Sequence, residues 1–187
     1  ISNLNYCNSA PGDNDYTTIN LVHLVGDSDS ITNNTAGQCD SFADYTAQYT
    51  ALTRGNNYSI NYTIGDCSIW GNSTASAKVF IDWNIDGDFD DAGEDLGGSP
   101  ISAATYSNGV SFTAPTLGPY GATRMRVVTQ YNKDILGSCE VGSLAPPSPQ
   151  PWYGATEDYT IMISGGIQPI YLWSNGSTTQ QIDNLSA

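Results

Sequence analysis

The sequence predicts an all-β fold: an antiparallel β-sandwich of jelly-roll or immunoglobulin-like type, with long loops and little helix. Three observations carry that expectation. Apolar and polar residues alternate in at least seven short stretches, clusters of Gly, Asn, Pro and Ser separate them, and nowhere do apolar residues recur at helical spacing over three turns. Period two sends successive side chains to opposite faces of a pleated strand, so each stretch has one face for a core and one for solvent. Many such strands joined by turn residues bury themselves as two packed sheets.

In chain order, the strands are expected at Ile19 to Val25, Thr46 to Leu52, Tyr58 to Ile64, Lys78 to Trp83, Val110 to Ala114, Arg124 to Tyr131 and Asp158 to Ile163. The third is the clearest, with Tyr58, Ile60, Tyr62 and Ile64 interleaved by Ser59, Asn61 and Thr63. β-Branched residues and Tyr dominate these stretches, as strands require. The turn clusters include Arg54-Gly55-Asn56-Asn57, Gly97-Gly98-Ser99-Pro100 and Leu117-Gly118-Pro119-Tyr120. The proline-rich stretch Leu144 to Pro151 lacks ladder donors and reads as a surface loop. Residues 1–164 are expected to form one sandwich. After Ser164-Gly165-Gly166, residues 165–187 read as a linker and the cut beginning of a second β domain.

Composition narrows the function. Sixteen Asp and three Glu face only Lys78, Lys133, Arg54, Arg124 and Arg126, a net charge of −14. Such a surface repels phosphate, so no nucleic-acid partner is expected. No apolar run approaches the ~20 residues of a membrane helix, so no membrane insertion is expected, and any export signal is expected to be removed or to lie outside these residues. Four widely spaced cysteines, Cys7, Cys39, Cys67 and Cys139, form no CxxC pair and point to two disulfides and a secreted or cell-surface location. Four cysteines allow three connectivities. Six Asn-X-Ser/Thr sequons, at Asn33, Asn57, Asn61, Asn72, Asn175 and Asn184, are expected by chance in so Asn- and Ser-rich a chain.

One stretch carries chemistry. Asp82-Trp83-Asn84-Ile85-Asp86-Gly87-Asp88-Phe89-Asp90-Asp91-Ala92-Gly93-Glu94 sets side-chain oxygens at every second residue, with Gly87 at the bend. Ca2+ takes six to eight oxygens, and alternate residues of such a loop fold inward around it. The candidate ligands are Asp82, Asn84, Asp86, Asp88, Asp90 and Glu94, and Asp90, Asp91 and Asp95 are candidates for a second ion. Position twelve of an EF-hand-like count is Gly93, and no flanking helices are expected, so this is a calcium loop on a sheet edge. Oxygen-only ligation disfavours zinc and copper. The alternative is a solvated acidic turn closed by Asx hydrogen bonds.

Val79-Phe80-Ile81-Asp82-Trp83-Asn84-Ile85-Asp86-Gly87-Asp88-Phe89 resembles the core motif of the GEVED domain, a family of secreted multidomain proteins of Bacteroidetes-type bacteria. The resemblance covers about residues 6 to 163 and includes Tyr6-Cys7, Asp44-Tyr45-Thr46, Pro115, Thr123 to Val127, Cys139 and Gly154-Ala155-Thr156-Glu157-Asp158-Tyr159. Ala155 stands where the family's naming motif has its first Glu. The resemblance implies a β-sandwich and suggests the pairing Cys7 with Cys139, which leaves Cys39 for Cys67. The tail from Tyr171 to Ala187 resembles the opening of the SprB-type repeat of large bacterial surface adhesins.

Enzyme signatures are missing. Neither GxSxG nor HExxH occurs, and the single histidine, His23, has no assignable nucleophile and reads as a packed strand residue. Glu94 with Glu157 is the one carboxylate pair to nominate for glycosidase chemistry, and both are better explained otherwise. Glu157 and Asp158 are candidate calcium ligands or partners for Arg124 or Arg126, which share one strand face opposite Met125 and Val127. Trp83 shares a face with Val79 and Ile81 and is expected in the core. Trp70, Tyr120, Trp152 and Tyr153 lie beside turns, where rings stack on sugars or cap a core. The expectation is a non-catalytic, calcium-binding adhesion or spacer module. Its partners would be extracellular polysaccharide, a surface protein or neighbouring domains. The alternatives are a carbohydrate-binding accessory module of a secreted enzyme, or an accessory domain of a secreted protease.

Overall fold

The computed structural model describes residues 4–12, 15–69, 71, 73–103, 105–134, 137–139 and 153–165. Residues 166–187, the proline-rich stretch 144–151, Trp70 and Trp152 lie outside them. No helix occurs among the described residues. Nine strands form among the described residues: β1 (Thr17–Val25), β2 (Ser30–Asn34), β3 (Phe42–Thr53), β4 (Asn57–Asp66), β5 (Ala75–Ile81), β6 (Asp95–Ser102), β7 (Tyr106–Thr113), β8 (Gly121–Tyr131) and β9 (Gly154–Ser164). They build a four-stranded sheet, order β2-β1-β4-β7, packed on a five-stranded sheet, order β3-β9-β8-β5-β6.

The alternation works as expected. Ile60, Tyr62 and Ile64 of β4 point inward with Ile19, Val22 and Leu24 of β1, against Val79 and Ile81 of β5, Met125 and Val127 of β8, and Tyr159 and Ile161 of β9. Trp83 extends this core and meets the Phe112 ring with centroids 5.9 Å apart. Fully burying each such side chain stabilises the fold by about 1.5–3 kcal/mol.

Three expectations need correction. The five-stranded sheet is mixed, because β3 runs parallel to β9, with a register break between Asp44 and Tyr49. The cluster Gly97-Gly98-Ser99-Pro100 is part of edge strand β6 rather than a turn. Pro is tolerated there because an edge strand needs no donor on its outer side. Gly98 fits because a Cβ would lie 1.8 Å from the Ala77 carbonyl oxygen. His23 is not packed in the core. It is half-buried on the outer face of the four-stranded sheet, its Nδ1 2.9 Å from Thr32 Oγ1.

β8 is buried on both faces along most of its length. Its outer face is covered by the N-terminal segment, whose Tyr6 packs on a small cluster of Phe80, Phe89 and Val128. Disulfides Cys7–Cys139 and Cys39–Cys67 form, the pairing that the family resemblance suggests.

Candidate metal centre

The Asp82–Glu94 loop links β5 to β6 at one margin of the five-stranded sheet. Two buried acids make its floor. Asp82 Oδ1 accepts from the Ile85 and Asp86 amides at 2.6 and 3.3 Å, and Oδ2 accepts from the Gly87 amide at 3.1 Å. Glu94 Oε1 accepts from the Trp83 amide at 2.7 Å, and Oε2 from the Asp91 amide at 3.3 Å. Burial pushes the Glu94 carboxyl above its ordinary value, against the pull of those amides. The sharp bend falls where the sequence puts Gly87, with φ of +100°. Ile85 also takes a positive φ, +59°, rare for a β-branched residue and held here by the Asp82 bond to its amide.

Above this floor, Asp86, Asp88 and Asp91 each turn one carboxylate oxygen into a shared space on the solvent side, all within 4.8 Å of one another. Asn84 braces them, its Nδ2 donating to Asp86 Oδ2 at 2.8 Å and to Asp91 Oδ2 at 2.6 Å. Asp86 accepts from the Asp88 amide at 3.2 Å and Asp88 from the Asp90 amide at 2.9 Å, so Asx turns link the rim.

The expected ligand set therefore divides. Asn84, Asp86 and Asp88 lie at the rim, whereas Asp82 and Glu94 face inward and organise the backbone. Asp91, assigned from sequence to a second ion, is the acid that completes the convergent trio, and Asp90 is not part of it. Asp95 stands apart on β6, paired with Lys78 at 2.8 Å. Glu157 and Asp158 are not part of the trio, and they have different partners. Asp158 forms a two-pronged ion pair with buried Arg126, Nε to Oδ1 at 2.7 Å and Nη2 to Oδ2 at 2.9 Å, and meets Arg124 at 3.2 Å. Glu157 faces the inter-sheet core and accepts from Tyr159 Oη at 2.5 Å.

Two residues that support the loop carried no chemical assignment in the sequence. Tyr6 donates to Asp82 Oδ2 at 2.6 Å while Arg124 lies over its ring, 4.2 Å from the centroid. Arg54 sends Nη2 to the Trp83 carbonyl at 2.8 Å and clamps the Pro115, Leu117 and Pro119 carbonyls. Tyr6 stood inside a quoted family motif, but Arg54 looked like an ordinary turn residue. Of the aromatic candidates, Trp70 and Trp152 lie outside the described residues, and Tyr120 and Tyr153 do not share a surface. Tyr120 precedes β8, and Tyr153 packs on Tyr16 and Tyr131 at that strand's far end. Ten residues of strand, about 30 Å, separate them.

The fold and loop define a two-disulfide β-sandwich module with an acidic hairpin loop at its margin. The family model of the GEVED domain matches residues 76–162, a span that runs from β5 into β9 and contains the whole loop. No curated protein matches the chain.

Proposed function

We propose that the Asp82–Glu94 loop binds one Ca2+ and that the ion stabilises the β5–β6 margin of a non-catalytic module in a secreted or cell-surface protein, serving adhesion or spacing. The observation that carries the proposal is the convergence of Asp86, Asp88 and Asp91 within 4.8 Å. Three carboxylates so close repel one another, and a hard divalent cation relieves that repulsion while matching an all-oxygen donor set. Asn84 Oδ1 and loop carbonyls are the further donors at hand. The ion itself would supply charge neutralisation and cross-linking of the rim, and the buried acids Asp82 and Glu94 hold the backbone in the shape that presents it. Two disulfides fit an oxidising, extracellular setting.

An ion that binds only the folded chain adds RT ln(1 + [L]/Kd), about 2.7 kcal/mol at a hundredfold excess over Kd. At roughly 2–4 °C per kcal/mol, the melting temperature should rise by roughly 5–11 °C between EDTA and excess calcium. The rise should vanish in a variant with Asp86→Asn and Asp88→Asn. A melting temperature indifferent to calcium would refute the proposal.

A further inference from the structure

Four strands end the two sheets, and three of them carry features that discourage pairing with another chain. β2 is only five residues long. β3 breaks register between Asp44 and Tyr49. β6 breaks register twice against β5 and carries Asp95, Gly97, Gly98 and Pro100. β7 is longer than β2 and has neither a register break nor a charged residue nor a proline, although it contains Gly109. It runs eight residues and pairs with β4 without interruption from Asn57↔Thr113 to Ile64↔Tyr106. Among the described residues its other side pairs with nothing. A regular, uncharged edge of this kind presents a row of N–H and C=O groups to an incoming strand.

The sequence of β7 indicates which strand. Tyr106-Ser107-Asn108-Gly109-Val110-Ser111-Phe112 has nearly the same pattern in both directions: aromatic, Ser, one residue, Gly, one residue, Ser, aromatic. Two copies paired antiparallel about Gly109 set Ser107 opposite Ser111 and Tyr106 opposite Phe112, twice, across a two-fold axis. An isologous interface needs that self-complementarity. Charge permits it as well. The outer face of the four-stranded sheet, from Thr32 and His23 across Ser59 and Asn61 to Ser111, carries no Asp, Glu, Lys or Arg in a chain of net charge −14. Val110 and Phe112 are only partly buried at this edge, so an added strand would complete their cover.

We infer that the chain self-associates through β7 into a two-fold dimer in which the two four-stranded sheets join into one continuous sheet. The inference is independent of calcium. A single strand pair buries less than the ~1,000 Å² of a stable interface, so the dimer forms at high protein concentration. Screening the mutual repulsion of two acidic bodies strengthens it.

Sedimentation equilibrium from about 10 μM to about 1 mM protein tests this. The mass should rise from the 19.9 kDa of the monomer toward twice that value, further at high salt than at low. Ser107→Lys with Ser111→Lys places like charges opposite each other at both symmetric positions and should weaken the dimer roughly tenfold. Ser107→Lys with Ser111→Glu places opposite charges there and should restore it. Both serines are exposed, and an unchanged melting temperature confirms intact folding of each variant. A chain that stays monomeric at every concentration and salt overturns the inference. So does a dimer indifferent to the paired lysines, or one that the Lys–Glu combination fails to restore.

Discussion

Replacing Glu157 by Gln should stabilise the protein above neutral pH and have no such effect in acid. Glu157 sits on β9 with its carboxyl between the sheets, 5% exposed. Tyr159 Oη donates to it at 2.5 Å and Thr35 Oγ1 at 3.4 Å. Among the described residues no Lys or Arg pairs with it. Asp40 repels it from the loop before β3. Tyr45, stacked on Tyr159, is the other titratable group on that side. Burial pushes the carboxyl from 4.5 up to about 7, against the pull of the Tyr159 and Thr35 hydroxyls. A carboxyl whose value is raised by folding favours the folded state while protonated. Its contribution is therefore whole below pH 4.5, is lost as pH rises, and is gone above about 7. At 1.36 kcal/mol per pH unit, the rise from 4.5 to about 7 corresponds to about 3 kcal/mol. Gln cannot ionise and keeps an oxygen for one of the two hydroxyls. Its melting temperature should exceed that of the parent by roughly 6–12 °C near pH 8.5, with the gap closing below pH 4.5. Thermal denaturation followed by circular dichroism across that range measures it. A gap that does not change with pH would refute the assignment of a buried, cation-free carboxylate.

Asp158→Asn leaves the Arg126 guanidinium buried without its counter-charge and should cost about 3–5 kcal/mol in urea unfolding. Asp95→Asn, which breaks the partly exposed Lys78 pair, should cost less than about 1 kcal/mol in the same assay. Arg54→Met removes five hydrogen bonds to the Trp83, Pro115, Leu117 and Pro119 carbonyls. It should destabilise by about 3 kcal/mol, with amide hydrogen exchange rising first in residues 115–120. The disulfides differ in the loop each closes, 132 residues for Cys7–Cys139 and 28 for Cys39–Cys67. By chain entropy they are worth about 5 and about 3.5 kcal/mol, so Cys7→Ser with Cys139→Ser should lower the melting temperature more than Cys39→Ser with Cys67→Ser.

Sheet content was legible because a half-buried strand writes its period directly into the chain, as Tyr58 to Ile64 does. The strands that went unread lack that signature for definite reasons. β2 alternates over only five residues, and β6 is built of Gly, Ser and Pro at a twice-broken edge, where composition imitates a turn. Parallel pairing of β3 with β9 joins residues more than a hundred positions apart, and no local pattern encodes it. At the acidic loop, spacing identified the segment and the bend at Gly87 but not which carboxylates turn inward. That choice is made by the amides of Ile85, Gly87 and Trp83 and by the Tyr6 hydroxyl, which claim Asp82 and Glu94. The strand face shared by Arg124 and Arg126 led to the expectation that one of them pairs with Glu157 or Asp158, and it left open that Asp158 meets both. The burial that makes the Arg126–Asp158 pair costly to break comes from the strap at Cys7 and Ser138, whose carbonyls accept from Arg126 Nη1 at 3.1 and 2.8 Å.

The span matched by the GEVED family model, residues 76–162, does not coincide with a self-sufficient core. It supplies β5, β6, β8 and most of β9, and it sends β7 to the opposite sheet. The inward faces of Val79, Ile81, Met125, Val127 and Ile161 are covered by β1 and β4, which lie before the match. The long side of β9 is closed by β3, also before it. Even the acidic loop is finished from outside, since Tyr6 reaches Asp82 across 76 positions of sequence and packs against Phe89 with ring centroids 5.2 Å apart. The matched stretch thus marks where the loop is made, and residues 4–66 hold it in shape. Any ion affinity at the Asp86 rim would therefore draw on the N-terminal strap as well as on the acids themselves, because Tyr6 anchors the same Asp82 carboxylate that holds the Ile85, Asp86 and Gly87 amides in the turn presenting the rim.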